Sequence, residues 1–124
     1  MPDALEKIQK TLQYSLAAQY TRRYQEIVMR IPPDILYHSG KIKEDYWKGK
    51  ESVASTIHAY IDLCAEELRM YRAGQIPEEV WENWEEGIQA GMRLPAVQSL
   101  WNNFFKHGPY EELRKYLKNM EQNR

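Results

Sequence analysis

His58, Asp62 and Glu66 recur every four residues in a stretch of helical periodicity, which sets them along one flank of a helix. An imidazole and two carboxylates so placed carry the chemistry to share a metal ion or to relay a proton. A straight flank spreads its ligands along the axis, whereas a metal needs them to converge. The plain reading is therefore a boundary histidine beside two solvated acids. A di-iron bundle needs Glu-x-x-His on paired helices. The residues three before His38, His58 and His107 are Ile35, Ser55 and Phe104, so that pattern is missing. Cys64 stands in an apolar stripe, six residues from His58 and on another face, and reads as a buried thiol rather than a nucleophile. Nowhere does the chain show a Gly-rich phosphate loop, G-x-S-x-G, C-x-x-C or H-E-x-x-H.

Two charged stretches invite a binding role. Glu78, Glu79, Glu82, Glu85 and Glu86 are the densest acidic cluster. The first two complement a helix dipole, but the cluster runs on past the first turn, where that effect fades. It reads either as a solvated face or as a docking face for a basic partner, with Glu79, Glu82 and Glu86 as candidates. A divalent cation would be held weakly, and EF-hand spacing is missing. Lys41, Lys43, Lys48 and Lys50 surround Tyr46 and Trp47, a combination that touches phosphates or an anionic membrane surface. Glu44 and Asp45 interrupt that stretch and weaken the case.

The elements that must position these groups are all helices. Leu5, Ile8, Leu12, Leu16, Tyr20, Tyr24, Ile27 and Ile31 recur at three- and four-residue intervals, which predicts one long helix over 3–31. Asp3 is placed to cap it. Pro32-Pro33 ends it, because the residue before a proline is pushed out of the helical region. At 1.5 Å per residue such a helix is roughly 40 Å long, so part of it is expected to lack a partner within one subunit. A connector follows over 32–50, broken by Gly40 and Gly49 yet too rich in Tyr37, Ile42, Tyr46 and Trp47 for a free linker. A single helical turn from Pro33-Asp34 through Tyr37 and a path pinned across the bundle are expected.

A helical core occupies 51–120. Val53, Ile57, Tyr60, Ile61, Cys64, Leu68 and Tyr71 form the stripe of a helix over 51–73, closed by Gly74. Pro77 opens the next as its first residue, with Val80, Trp81, Trp84 and Ile88 inward. Gly87 and Gly91, four apart, admit the close approach of another backbone. Trp81 and Trp84 cannot both point fully inward, being 300° apart around the axis, and Trp81 is the interface candidate. Pro95 starts a helix through Phe105, and Gly108-Pro109 restart the chain for a last one through Leu113, Tyr116, Leu117 and Met120.

The totals bound the class. A chain of 124 residues with 43% hydrophobic residues is one domain with a core of its own. One cysteine forbids an internal disulfide and points to a reducing, cytoplasmic compartment. The acidic start lacks a signal peptide, and no apolar run spans a membrane. Residues 1–50 carry nine basic and six acidic side chains, net +3; residues 51–92 carry two and nine, net −7; residues 93–124 carry six and three, net +3. An acidic middle between basic ends suits contacts within or between subunits and is a poor footprint for nucleic acid.

Glu66-Glu67, Tyr71-Arg72-Ala73-Gly74-Gln75-Ile76, Glu78-Glu79, Trp81, Ile88, Leu94-Pro95 and Trp101 together resemble a broad group of uncharacterised bacterial helical proteins. The likeness covers about a third of the chain, and its motifs are structural. Many members look like a membrane helix followed by this domain; here the first helix is amphipathic and charged. The resemblance implies association with a partner in place of an anchor and brings no catalytic residues.

Taken together, the sequence predicts a single all-α domain, a bundle of four to five helices with a long N-terminal helix. The leading expectation is a non-enzymatic interaction or accessory protein, self-associating, with no cofactor and no nucleic acid. It would use Leu12, Tyr20 and Tyr24 of the first helix, Trp81, and Glu79, Glu82 and Glu86 of the acidic helix. The alternative is a small-molecule or metal-binding helical protein, or an enzyme, with its site near His58, Asp62 and Glu66.

Overall fold

The computed structural model describes residues 2–105 and 110–122 and is all-α, with no strand among them. Helix α1 runs Pro2–Met29, α2 is the single turn Pro33–Leu36, and a 3-10 turn spans Glu44–Trp47. Helix α3 is Glu51–Arg72, α4 is Glu78–Met92, α5 is Pro95–Leu100 and α6 is Glu111–Gln122. A π-helical turn, Trp101–Phe105, prolongs α5, so the expected straight helix through Phe105 changes its winding at Trp101. Gly108, Pro109 and His107 lie outside the described residues, as does the side chain of Phe104.

Helix α3 is the axle. Ile57, Tyr60, Ile61, Leu63, Cys64, Glu67 and Leu68 are all buried on it. A helix so apolar around its middle must be covered on several sides, and α1, α4, α5 and α6 all pack on it. It stops where the sequence says it should. Gly74 takes φ 75°, its N–H reaches the Tyr71 carbonyl at 2.9 Å, and the Gln75 N–H reaches Met70 at 3.0 Å. That pair of bonds satisfies two otherwise orphaned carbonyls, and glycine adopts the left-handed cap without a Cβ penalty.

Two helix starts fall one residue away from expectation. Asp3 lies inside the first turn of α1 rather than before it. Pro77 is the cap of α4, held extended at ψ 143°, and its carbonyl accepts the first helical bond, from Trp81 at 3.0 Å. The connector lies against the bundle. Ile35 and Trp47 are buried, and the Trp47 indole N–H donates to Ser99 Oγ on α5 at 2.9 Å.

Helix α1 is antiparallel to α3. Gln13 Nε2 donates to the Gly74 carbonyl at 3.0 Å, Tyr20 Oη to Glu66 at 2.9 Å, and the Tyr24 ring lies 6.1 Å from that of Tyr60. As residue numbers rise on α1 they fall on α3. Residues 2–12 therefore run past the end of α3, a projection of roughly 16 Å at 1.5 Å per residue.

Candidate functional site

The predicted flank does not assemble as one site. His58 Nε2 lies 2.9 Å from Tyr110 Oη, and that hydroxyl donates to Asp62 Oδ1 at 3.2 Å. A hydroxyl has one proton to give, so with it committed to Asp62 the imidazole Nε2–H must be the donor to Tyr110. The His58 ring also stacks on Phe105 at 4.5 Å. Burial, with help from Asp62, pushes the Tyr110 hydroxyl up to about 12. Glu66 turns the other way, toward α1, where it accepts from Tyr20 and pairs with Arg23 at 3.1 Å. Asp62 and Glu66 thus serve different neighbours, and no group of three acidic, histidine or cysteine side chains among the described residues could hold a metal ion.

The predicted partner-binding residues divide in two. Leu12 is 63% exposed, and with Leu5 and Ile8 it forms an apolar stripe on the projecting end of α1. Asp3, Glu6, Lys7 and Lys10 all lie on the opposite face of that segment at 100° per residue. Tyr24 is 40% exposed beside Tyr60. Glu79, Glu82 and Glu86 are exposed along one face of α4 and make no ion pair among the described residues. Two of the expected partner-binding residues are buried within this chain. Tyr20 is buried, because its ring meets Trp84 edge-on at 5.8 Å and its hydroxyl serves Glu66. Trp81 is 3% exposed, stacked on Tyr71 at 4.4 Å and with the tilted ring of Tyr116 of α6 at 6.0 Å. The boundary tryptophan of that pair is Trp84, whose indole N–H reaches Thr21 Oγ1 at 3.4 Å.

Gly87 and Gly91 admit a side chain rather than a backbone. The Tyr60 ring enters the notch that Gly91 leaves, and its hydroxyl donates to the Gly87 carbonyl at 3.4 Å. Beside this ring a cavity of about 260 Å³ opens between α1, α3 and α4. Tyr24, Tyr60 and Trp84 wall it, and Cys64, Ile88 and Glu67 line it more deeply. A second cavity of about 260 Å³ adjoins it across Tyr24 and Tyr60, with only apolar side chains, tyrosines and glycines in its lining.

Glu67 is the residue that sequence reasoning missed. It is 4% exposed, and no hydrogen bond or ion pair among the described residues reaches its carboxylate. Its neighbour Glu66 takes both Tyr20 and Arg23. Burial raises Glu67 to about 8; the more distant Arg23 charge opposes this and Glu66 adds to it. The signal was present, since Tyr60, Cys64, Glu67 and Tyr71 lie at helical intervals on one stripe. Cys64 is fully enclosed, and burial pushes its thiol well above the ordinary range, so it is no nucleophile.

Comparison of the chain with protein-family models, with curated proteins and with solved structures finds no match. No helix of the structure is long and apolar enough to cross a membrane, among the described residues.

Proposed function

We propose that this chain is a non-enzymatic interaction protein that pairs with a second copy of itself through the projecting end of α1, and that it works in a bacterial cytoplasm. The observation that carries the reading is the exposure of Leu5, Ile8 and Leu12, at 65%, 56% and 63%, on the N-terminal side of the Gln13–Gly74 hydrogen bond. An apolar stripe with every charge on its far side suits an equally uncharged surface, and a second copy offers the same stripe. Such a contact is isologous and closes on itself. The exposed face of Glu79, Glu82 and Glu86 supplies the side on which the dimer would meet a basic partner.

The magnitude is modest. Six part-exposed aliphatic side chains contribute about 1–2 kcal/mol each on burial, against an association cost of about 4–15 kcal/mol. The dimer is therefore expected in the micromolar range or weaker. Sedimentation velocity over a concentration series tests this. The wild type should shift from monomer to dimer, and Leu12→Asp should stay monomeric with unchanged folding. A wild type that remains monomeric into the high micromolar range overturns the reading.

A further inference from the structure

A carboxylate that is nearly fully buried and unpaired destabilises the protein that holds it. Glu67 approaches that condition: the residue is 4% exposed and unpaired, and its carboxylate opens on a cavity rather than a sealed core. Tyr24, Tyr60 and Trp84 line the same cavity. Aromatic walls attract a cation through their ring quadrupoles, more strongly where water is excluded. Glu67 is the one acid in a lining whose other polar side chains are Thr21, Asn83 and the tyrosines, and whose remainder is apolar or aromatic, which suits a cation with an apolar surface. A primary ammonium brings three donors; a quaternary ammonium brings none and presents only methyl and methylene surface to the apolar and aromatic walls. About 260 Å³ is ample for such a head group, since engineered cavities of about 150 Å³ take up benzene. The adjoining cavity carries no acid, so the charge is assigned to the Glu67 side.

We propose that the cavity between α1, α3 and α4 binds a small quaternary ammonium compound, with Glu67 as the counter-ion and Tyr24, Tyr60 and Trp84 as the aromatic enclosure. This site is independent of the pairing of α1 and can stand or fall without it.

Proton linkage gives the site a signature. The groups that face Glu67 are Glu66, Tyr60 and Cys64 on α3, and Tyr20, Arg23 and Tyr24 on α1. The lining residues of α4, Asn83, Trp84, Gly87 and Ile88, do not titrate. Burial holds Glu67 protonated up to about pH 8, and only the carboxylate form receives the cation. Apparent affinity should then rise close to tenfold per pH unit below about pH 8 and level off above it.

The probe is choline, with its uncharged isostere 3,3-dimethylbutan-1-ol as control, titrated while the indole N–H signals are followed by NMR. Trp84→Phe identifies the Trp84 signal. Choline is expected to move that signal, the isostere to bind at least tenfold more weakly, and Glu67→Gln, which keeps the side-chain shape, to lose at least tenfold in choline affinity. No response to choline in the millimolar range overturns the proposal. So does equal binding of choline and its isostere, or of choline and the Glu67→Gln variant. Co-sedimentation with phosphatidylcholine vesicles without a response to free choline would assign a lipid head group and overturn the small solute.

Discussion

Replacing Gly91 by alanine puts a methyl group where the Tyr60 hydroxyl sits. The new Cβ overlaps that oxygen and lies 2.7 Å from Cζ and 3.2 Å from Cε1. The ring is 5% exposed beside fully buried Cys64, and it can give way only by turning into the cavities it borders, at the expense of its contacts with Gly87 and Tyr24. Overpacking of this kind costs about 1–3 kcal/mol, and a displaced hydroxyl forfeits about 1 kcal/mol more in its bond to Gly87. Against this, alanine gains about 0.8–1.0 kcal/mol over glycine inside a helix. The steric term wins, and Gly91→Ala should lose about 1–3 kcal/mol. Gly87 is the matched control one turn earlier, since a Cβ there meets nothing within 4 Å. Gly87→Ala should therefore gain about 0.5–1 kcal/mol. Urea unfolding followed by tryptophan fluorescence reads both on one scale. Adding Tyr60→Phe to Gly91→Ala should recover part of the loss, because it removes the overlapping oxygen. A Gly91→Ala variant as stable as the wild type would refute the reasoning, whatever Gly87→Ala does.

Other expectations rest on separate contacts. Glu67 holds a raised pKa in the fold, so between about pH 4.5 and about pH 8 the native state binds more protons than the unfolded one and stability falls as pH rises. Glu67→Gln should match the wild type near pH 4 and exceed it by a few kcal/mol by pH 8, as read by urea midpoints across that range; a constant difference would contradict the assignment. Trp81→Ala should cost about 3–5 kcal/mol through loss of its stacked and tilted neighbours, with sedimentation of the folded fraction unchanged, since Trp81 is not at the pairing face. Zinc or a chelator should leave the melting temperature where it was, because Glu66 turns away from His58 and Asp62; a rise with zinc would show that the three converge. Arg72→Ala should cost no more than about 1 kcal/mol in thermal unfolding, its 2.8 Å bridge to Glu112 being exposed on both sides.

What the sequence made legible was local. Pro32-Pro33, Gly74, Pro77 and Pro95 mark the ends of elements because each acts on its own backbone, and the structure breaks at or beside all of them. What it left open depends on which element covers which. Leu12 and Tyr20 belong to one stripe, and only the place where α3 stops decides that the first is exposed and the second buried. Trp81 and Trp84 fit the inward pattern equally well; Tyr71 and Tyr116, from two other helices, close over Trp81. The glycine pair announced a close approach, but the identity of the guest as a tyrosine ring is a tertiary fact. Glu67 was passed over for a different reason. A charged residue on an apolar stripe looks like an interruption, and its burial without a partner appears only when α1 and α4 are in place.

The pairing of α1 is tested most directly by a cysteine at its centre. Ile8→Cys sits in the middle of the exposed stripe, Lys10→Cys lies on the back of the same segment, and native Cys64 is too buried to react. A short thiol-specific cross-linker should convert Ile8→Cys to a covalent dimer at micromolar protein and leave Lys10→Cys monomeric. Equal cross-linking of the two, or none at position 8, would contradict a dimer built on Leu5, Ile8 and Leu12.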